Sequence, residues 1–408
     1  MTIQGKGAAS RSDPPINIAD FLIAATLPVI CGYAILAPQG LTWLPWLIIL
    51  LALWAARRLN LETHPWERLP AARWLFWAMA AAAIWTLMRC ITAYNVPDAF
   101  LGAGSFYATV FAVVLLVPLS AAVSRDGRWF WLFFPLVNII TASIAGLAAN
   151  QVIQLGWISA RLGELWHFNR AASLAALLLP VSLYAVGQTS GPRRDKALMM
   201  IAVTGAIGVG VFSTYSESAK LAFIIGLAVN AAAQVSLKLT TRLVSWGFVI
   251  SLLVVPSVLP TVHDWTISNH ALDQDTWTYR PRLEIWRAMV HLIVEAPFFG
   301  HGVEFVRNAG YINAITGLWT EQTHPHSAIF QLWVDLGLLG VVLFGTVIVL
   351  LGETILWLPR EKGAMLAAVM AGALGVWSVS HGMWQSWFVG LIGLVVFHAM
   401  VAARRGAP

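Results

Sequence analysis

The sequence predicts an all-α, polytopic membrane protein of about twelve transmembrane helices. Three observations lead to that class. Only 11% of the 408 residues are charged while 59% are hydrophobic, and the mean hydropathy is +0.73. An ordinary soluble domain carries roughly 25% charged residues, so this chain has too little charge to cover a water-exposed surface. Apolar segments of about 16–24 residues recur along it, the length a helix needs to cross a bilayer. Basic residues gather beside alternate segments, as expected where topology is set by positive charge held inside.

The expected spans are approximately 18–37, 41–56, 72–92, 104–123, 129–150, 171–187, 197–214, 218–236, 242–260, 327–351, 364–381 and 386–403. The first is longer than the roughly 7–15-residue core of a cleaved signal peptide and reads as a signal anchor with the N-terminus inside. The second is short and contains Pro45. On this topology 17 of the 25 Lys and Arg residues lie in inner loops, among them Arg57, Arg58, Arg193, Arg194, Lys196, Arg360 and Lys362. The other eight (25 − 17) are Arg89, Arg161, Arg170, Lys220, Arg280, Arg282, Arg287 and Arg307, all at outer helix ends or in outer loops. Cations on the disfavoured side need another reason to be there, and binding an anion is the simplest. The net charge of +6 forms no long basic face, which argues against nucleic acid as a partner. Cys31 and Cys90 belong to no CxxC or Cys/His zinc spacing and read as small buried apolar residues.

Residues 1–408 read as one transmembrane domain, with 261–326 as an outward loop region. That region is too long for a simple connector and too apolar for disorder. It contains an amphipathic helix over 282–295. Trp286, Met289, Val290 and Ile293 lie on one face, and Arg287, His291 and Glu295 on another, with Pro297 and Gly300 ending it. A helix of this kind lies along a membrane surface and is expected to roof a cavity open to the outside.

Four outward features could carry chemistry: His324-Pro-His326-Ser327; the arginines Arg280, Arg282 and Arg287; Ser216-Glu-Ser-Ala-Lys220; and His167-Phe-Asn-Arg170 with Arg161 upstream. Each also has a plain structural reading. The histidines could cap a helix or ligate a metal, although no third ligand accompanies them at recognisable spacing. The arginines could pair with Glu284, Asp273 or Asp275, or reach lipid phosphates. Lys220 could pair with Glu217. Trp384 and Trp387 read as interfacial anchors rather than substrate platforms. Asp335, an acid two turns into a membrane helix, is costly there and hence a functional candidate. Taken together, cations beside a histidine at the outer mouth of a helix bundle suit a lipid-linked diphosphate. Guanidinium groups bind phosphate oxygens bidentately and stabilise charge growing on a diphosphate leaving group. A neutral histidine accepts the proton of an attacking hydroxyl. Pro325 suits the first position of a helix, which would turn His324 away from His326.

The run Arg282-Leu-Glu-Ile-Trp286, the turn Pro297-Phe-Phe-Gly300-His-Gly302, the step His324-Pro-His326-Ser327 and Gln331-Leu-Trp-Val-Asp-Leu-Gly337 together resemble the O-antigen ligase and polymerase superfamily. The close likeness covers roughly residues 280–340. It implies a GT-C-type membrane glycosyltransferase of the bacterial inner membrane, with residues 261–326 and the active site on the periplasmic face. The implied donor is a glycan on undecaprenyl diphosphate, with no cofactor and no metal. By this resemblance His326 is the essential histidine and Arg282 the outer-helix arginine, and Arg280, Arg287, Lys220, Arg161 and Arg170 are further candidates for the donor diphosphate. Two positions depart from the pattern. Glu217 stands where a second family arginine is expected, with Lys220 one turn on as a substitute cation, and Ser327 stands in place of Asn. The first implied activity is O-antigen ligase. It is the inverting transfer of lipid-linked polysaccharide to the lipid A core in lipopolysaccharide biosynthesis, with loss of undecaprenyl diphosphate. The alternative is an O-antigen or exopolysaccharide polymerase whose acceptor is a growing glycan. A transporter of lipid-linked glycan is a third reading, disfavoured because the charges lie at the outer face rather than at mid-bilayer.

Overall fold

The computed structural model describes residues 18–58, 70–120, 130–150, 152, 168–268, 280–308 and 324–404. Every regular element among them is helical, as the composition predicts. In chain order these are α1 (Ile18–Leu36), α2 (Leu44–Arg58), α3 (Pro70–Ile91), α4 (Val96–Leu119), α5 (Phe130–Ala149), α6 (Phe168–Gly187), α7 (Arg193–Phe212), α8 (Glu217–Val235), α9 (Leu237–Ser268), α10 (Arg280–Glu295), α11 (Phe305–Asn308), α12 (Ala328–Ile355), α13 (Arg360–Val379) and α14 (Ser386–Arg404). Ten of them, α3–α9 and α12–α14, are long and apolar enough to cross a membrane. They are the last ten of the twelve expected segments. The first two segments are helical as well, as α1 and the shorter, 15-residue α2. The protein is therefore a multi-pass membrane protein, and helices satisfy its backbone polar groups without water.

The bundle is built around α6, 89% of whose span is buried, with α13 (72%) and α14 (78%) packed close to it. The spans α3, α7 and α9 are buried over only 17–22% and face outward. Apolar side chains on such helices gain nothing by leaving lipid, so polar ties and close packing hold the helices together. Asn138 Nδ2 on α5 donates to Ala175 O and to Ser182 Oγ on α6, each at 3.1 Å. Trp333 Nε1 on α12 donates to Leu252 O on α9 at 2.6 Å.

Hairpin alternation sorts the charges. The α6–α7, α8–α9 and α12–α13 turns share one end, where Arg242 pairs with Glu353 at 2.8 Å and Gln188 donates to Glu361 at 3.3 Å. The opposite end collects Ser216, Lys220, the His324–Ser327 step and the Ser380–Gln385 turn.

Two expectations need correction. The helix expected to stop near Pro260 continues to Ser268, with Pro256 and Pro260 inside it. The region expected to loop outward from 261 therefore begins as the last turns of α9. Proline removes a donor without forcing a stop where neighbouring groups accommodate it. In addition, α12 starts at Ala328, not at Pro325. The amphipathic helix is α10. Ile285, Met289, Leu292 and Ile293 are buried against Leu259, Phe330 and Val334, while Arg287, His291 and Glu295 are exposed as expected. Cys31 and Cys90 are both free and buried.

Candidate functional site

A break in α12 positions the site. Gly337 has φ 66° and ψ −168°, far from helical values. Backbone groups released by such a break cannot be left unpaired inside a bilayer. The turn after α10 supplies their partners. His301 N–H donates to Val334 O at 2.7 Å and Gly302 N–H to Asp335 O at 3.0 Å. In return, Leu338 N–H donates to Pro297 O at 2.8 Å and Leu339 N–H to Phe298 O at 3.3 Å. The Trp85 indole donates to Leu336 O at 3.1 Å, and Arg89 Nη2 to Gly300 O at 2.9 Å. The approach is too close for a side chain. A Cβ on Gly300 (φ 68°) would lie 2.6 Å from the Asp335 carbonyl carbon, and one on Gly337 would lie 2.5 Å from that of Phe298. The Pro-x-x-Gly-x-Gly turn and the Leu-Gly step are thus two halves of one joint.

Beside the joint lies Asp335, fully buried. Its Oδ2 accepts from the Trp384 indole at 2.6 Å, from Glu304 N–H at 3.1 Å and from Gln331 Nε2 at 3.4 Å. Its Oδ1 has no hydrogen-bond partner among the described residues. Gln331 Oε1 in turn accepts from Met383 N–H at 2.7 Å. Asp335 therefore ties the α10–α11 turn, α12 and the α13–α14 turn together. Glu304, itself at φ 60°, is buried, and Arg307 Nη1 lies 3.8 Å from its Oε1. Burial pushes the Glu304 carboxyl up to about 7; Arg307 opposes this and Asp98 adds to it. Glu304, Arg307, His324, Gln331, Gly382, Trp384 and Gln385 line a cavity of about 160 Å³.

The histidines lie next to it. The His324 and His326 rings face each other with centroids 4.4 Å apart, so they do not point apart as a helix start at Pro325 would require. The three-residue approach to α12 is non-helical and holds His326 at φ 52°, a left-handed conformation uncommon outside glycine. Trp286 fixes that approach: its indole donates to Pro325 O at 2.8 Å while its ring stacks on Phe330. His326 Nδ1 donates to Ser380 O at 3.3 Å. In the neutral ring the proton is therefore on Nδ1 and the lone pair on Nε2. Burial depresses the His326 pKa, the Arg282 guanidinium depresses it further, and the Ser380 carbonyl partly opposes both. His324 accepts from the Gln385 amide through Nε2 at 3.0 Å. Burial drives it down to about 3, with His326, Arg170, Arg282 and Arg307 adding to the effect. His381, against Trp387 and Phe388, is also depressed well below the ordinary value, by burial first and then by His324 and Arg170. The site is a set of neutral imidazoles in a field of arginines.

Of the sequence candidates, the fold brings His326, Arg282 and Arg170 into one electrostatic neighbourhood. Arg170 lies 4.7 Å over the Trp387 ring. Arg287 faces Asp264 at 3.7 Å on an exposed surface. Lys220 binds Glu217 at 2.8 Å, the plain pairing open to it. Arg161 lies outside the described residues, as does the Arg280 side chain. Trp384 and Trp387 are not interfacial anchors, since each is only 5% exposed. Ser327, in place of Asn, buries a hydroxyl that has no partner among the described residues. Sequence reasoning missed His381, Glu304 and Gln385, and gave Gln331 only as part of the motif run. The run Ser380-His-Gly-Met-Trp-Gln-Ser386 was the available signal, a polar cluster with an imidazole between two apolar spans.

The fold and site together define an integral membrane protein with a histidine–arginine centre at one end of its bundle. Residues 198–345 match the model of the O-antigen ligase family, in agreement with the motif resemblance. Two curated relatives, each named "Putative polysaccharide ligase", come from Rickettsia felis (22% identical, covering 58% of this chain and 59% of the relative) and Rickettsia conorii (21% identical, covering 58% of each). The chain thus spans less than two thirds of the length of the curated relatives it matches.

Proposed function

We propose that the protein is an O-antigen ligase of the bacterial inner membrane, transferring an undecaprenyl-diphosphate-linked polysaccharide to the lipid A core at its periplasmic face. The observation that carries this reading is His326, a half-buried imidazole whose pKa is depressed, with its Nδ1 proton committed to Ser380 O and Arg282 close by. Nε2 accepts the proton of an acceptor hydroxyl. The freed oxygen electron pair forms the bond to the anomeric carbon of the donor sugar. The bond from that carbon to the diphosphate breaks, and its electron pair leaves on the diphosphate oxygen. Attack opposite the leaving group inverts the anomeric centre. Arg282, with Arg170 nearby, neutralises the growing charge, which is where electrostatic stabilisation gains most. The skew of basic residues toward the other end of the bundle supports a periplasmic location for this one.

The test is turnover by purified, membrane-reconstituted wild type and His326→Ala with the same lipid-linked donor. General-base help is worth about 10²–10⁴ in rate, so the variant should fall by that factor or more while still inserting and folding. His324→Ala should be milder, and a chelator should leave the wild type unchanged. Equal turnover by His326→Ala and wild type would remove this histidine from the mechanism. A polymerase uses the same donor class and site chemistry, and a deletion strain separates the two. Lipid A core without O-chain, beside long polymer on the lipid carrier, identifies the ligase. A core capped by single repeat units identifies the polymerase.

A further inference from the structure

The cavity beside the histidines is unlike a phosphate site. Arg307 lies on its wall, but so does the Glu304 carboxyl, and Asp335 lies just behind Gln331 and Trp384. His324 accepts a hydrogen bond there and is held neutral, so it brings no positive charge. On the wall itself a phosphate dianion would meet one guanidinium against a carboxyl and a set of neutral groups, while Arg170 and Arg282, which act on His324, lie outside the lining. A neutral polyol fits this wall better. Hydroxyls both donate and accept, and the wall offers both: the Arg307 guanidinium and the Glu304, Gln331 and Gln385 side chains. Gln385 Oε1 has no donor among the described residues. The volume also fits. The cavity measures about 160 Å³ and is open on one side, so it need hold only part of a sugar and leave the rest of a glycan outside. The flat groups lining it, Trp384 and His324, give a ring's apolar faces something to lie against. Finally, His324 is both a wall of the cavity and the neighbour of His326, with ring centroids 4.4 Å apart.

We propose that the cavity bounded by Glu304, Arg307, His324, Gln331, Trp384 and Gln385 is a subsite for one neutral sugar ring, which it holds about a ring's breadth from His326. The inference rests on the glycosyl-transfer reading for its purpose but not for its binding chemistry. The ring belongs to one of the two glycans that meet at His326. Glu304 and Gln385 bind its hydroxyls, and Arg307, partly exposed, closes the cavity toward the outside.

Saturation-transfer NMR on the full chain in nanodiscs measures the binding directly, with methyl glycosides of common neutral hexoses as probes and inorganic pyrophosphate as the contrasting ligand. Wild type should bind at least one glycoside in the millimolar range. Arg307→Met and Gln385→Leu should each weaken that binding about tenfold or more and leave pyrophosphate binding within twofold. Arg282→Ala should do the reverse. Arg307 is about half exposed, so its replacement by a side chain of similar length tests the contact rather than the fold. A wild type that binds no glycoside, or an Arg307→Met protein that binds it undiminished, overturns the subsite. In steady-state transfer by Arg307→Met, a raised KM for either substrate supports the subsite and identifies which glycan supplies the ring; unchanged values for both overturn it. Transfer that depends on His326 without glycoside binding removes the subsite and spares the proposed function. Glycoside binding in a protein with no transfer does the opposite.

Discussion

Replacing Gly337 by alanine tests the joint that builds the site. At φ 66° and ψ −168° the residue occupies a region essentially reserved for glycine, where a side chain costs about 1–3 kcal/mol. The new Cβ would also lie 2.5 Å from the Phe298 carbonyl carbon, and the obstacle is backbone that cannot rotate away. Relief requires the 297–302 turn to lift, which loses the bonds from Leu338 N–H to Pro297 O and from Leu339 N–H to Phe298 O. Each is worth about 1 kcal/mol net, and more if its groups stay buried unpaired. The total is about 3–5 kcal/mol, among the larger effects of a single substitution. In detergent, the melting temperature should fall on the order of 5–10 °C. Activity should fall further than stability, because the same turn carries Glu304 N–H to Asp335. Gly300→Ala should behave alike, since its Cβ would meet Asp335 and Gly337 across the same contact. The double variant should then be little worse than either single one, as for two changes that break one interaction. A Gly337→Ala protein with wild-type melting and turnover, or full additivity with Gly300→Ala, would refute the reasoning.

Three further outcomes are expected. Arg282→Lys keeps the charge but not the planar fork, and should retain weak transfer with a raised KM for donor; wild-type kinetics would move the diphosphate contact elsewhere. Glu304, raised from 4.5 to about 7, binds its proton more tightly folded than unfolded. Its contribution is therefore complete below 4.5 and lost as pH rises through 7, by about 3 kcal/mol at 1.36 kcal/mol per unit. Melting should fall between pH 5 and pH 8 in wild type and stay flatter in Glu304→Gln; equal slopes would argue against the burial effect. Glu295→Cys, at an exposed position, should label with an impermeant thiol reagent in intact spheroplasts. Labelling only after the membrane is opened would reverse the orientation.

The helical class and ten of its spans were legible because lipid enforces a simple rule: apolar runs of sufficient length, with every backbone group paired inside a helix. Helix ends were less legible. The expected span ended at 260, whereas α9 runs on through Pro260 to Ser268, because the cost of a proline depends on neighbours that a linear reading does not see. His326 and Arg282 were legible as motif residues, and the amphipathic face of α10 as periodicity. Asp335 stood out as an acid in a membrane helix, but its partners Trp384, Gln331 and the Glu304 amide come from three separate segments. Trp384 itself was misread, because a tryptophan near a helix end looks the same whether it faces headgroups or donates to a buried carboxyl group. Lys220 looked available as a phosphate ligand, and its neighbour Glu217 one turn away binds it instead.

The break in α12 also bears on biogenesis. The 297–302 segment leaves the ribosome before Gly337 does, so the backbone partners of the break already exist when α12 reaches the bilayer. The turn itself, beyond the end of α10, can wait in water with its peptide groups hydrated. The portion from α12 onward cannot adopt its broken form alone, because the carbonyls of Val334 and Asp335 and the amides of Leu338 and Leu339 would enter lipid without partners. Cut between residues 309 and 323 and expressed as two pieces, the C-terminal fragment should be retained as a straight helix or degraded, and regain its native bend only when the N-terminal fragment is supplied.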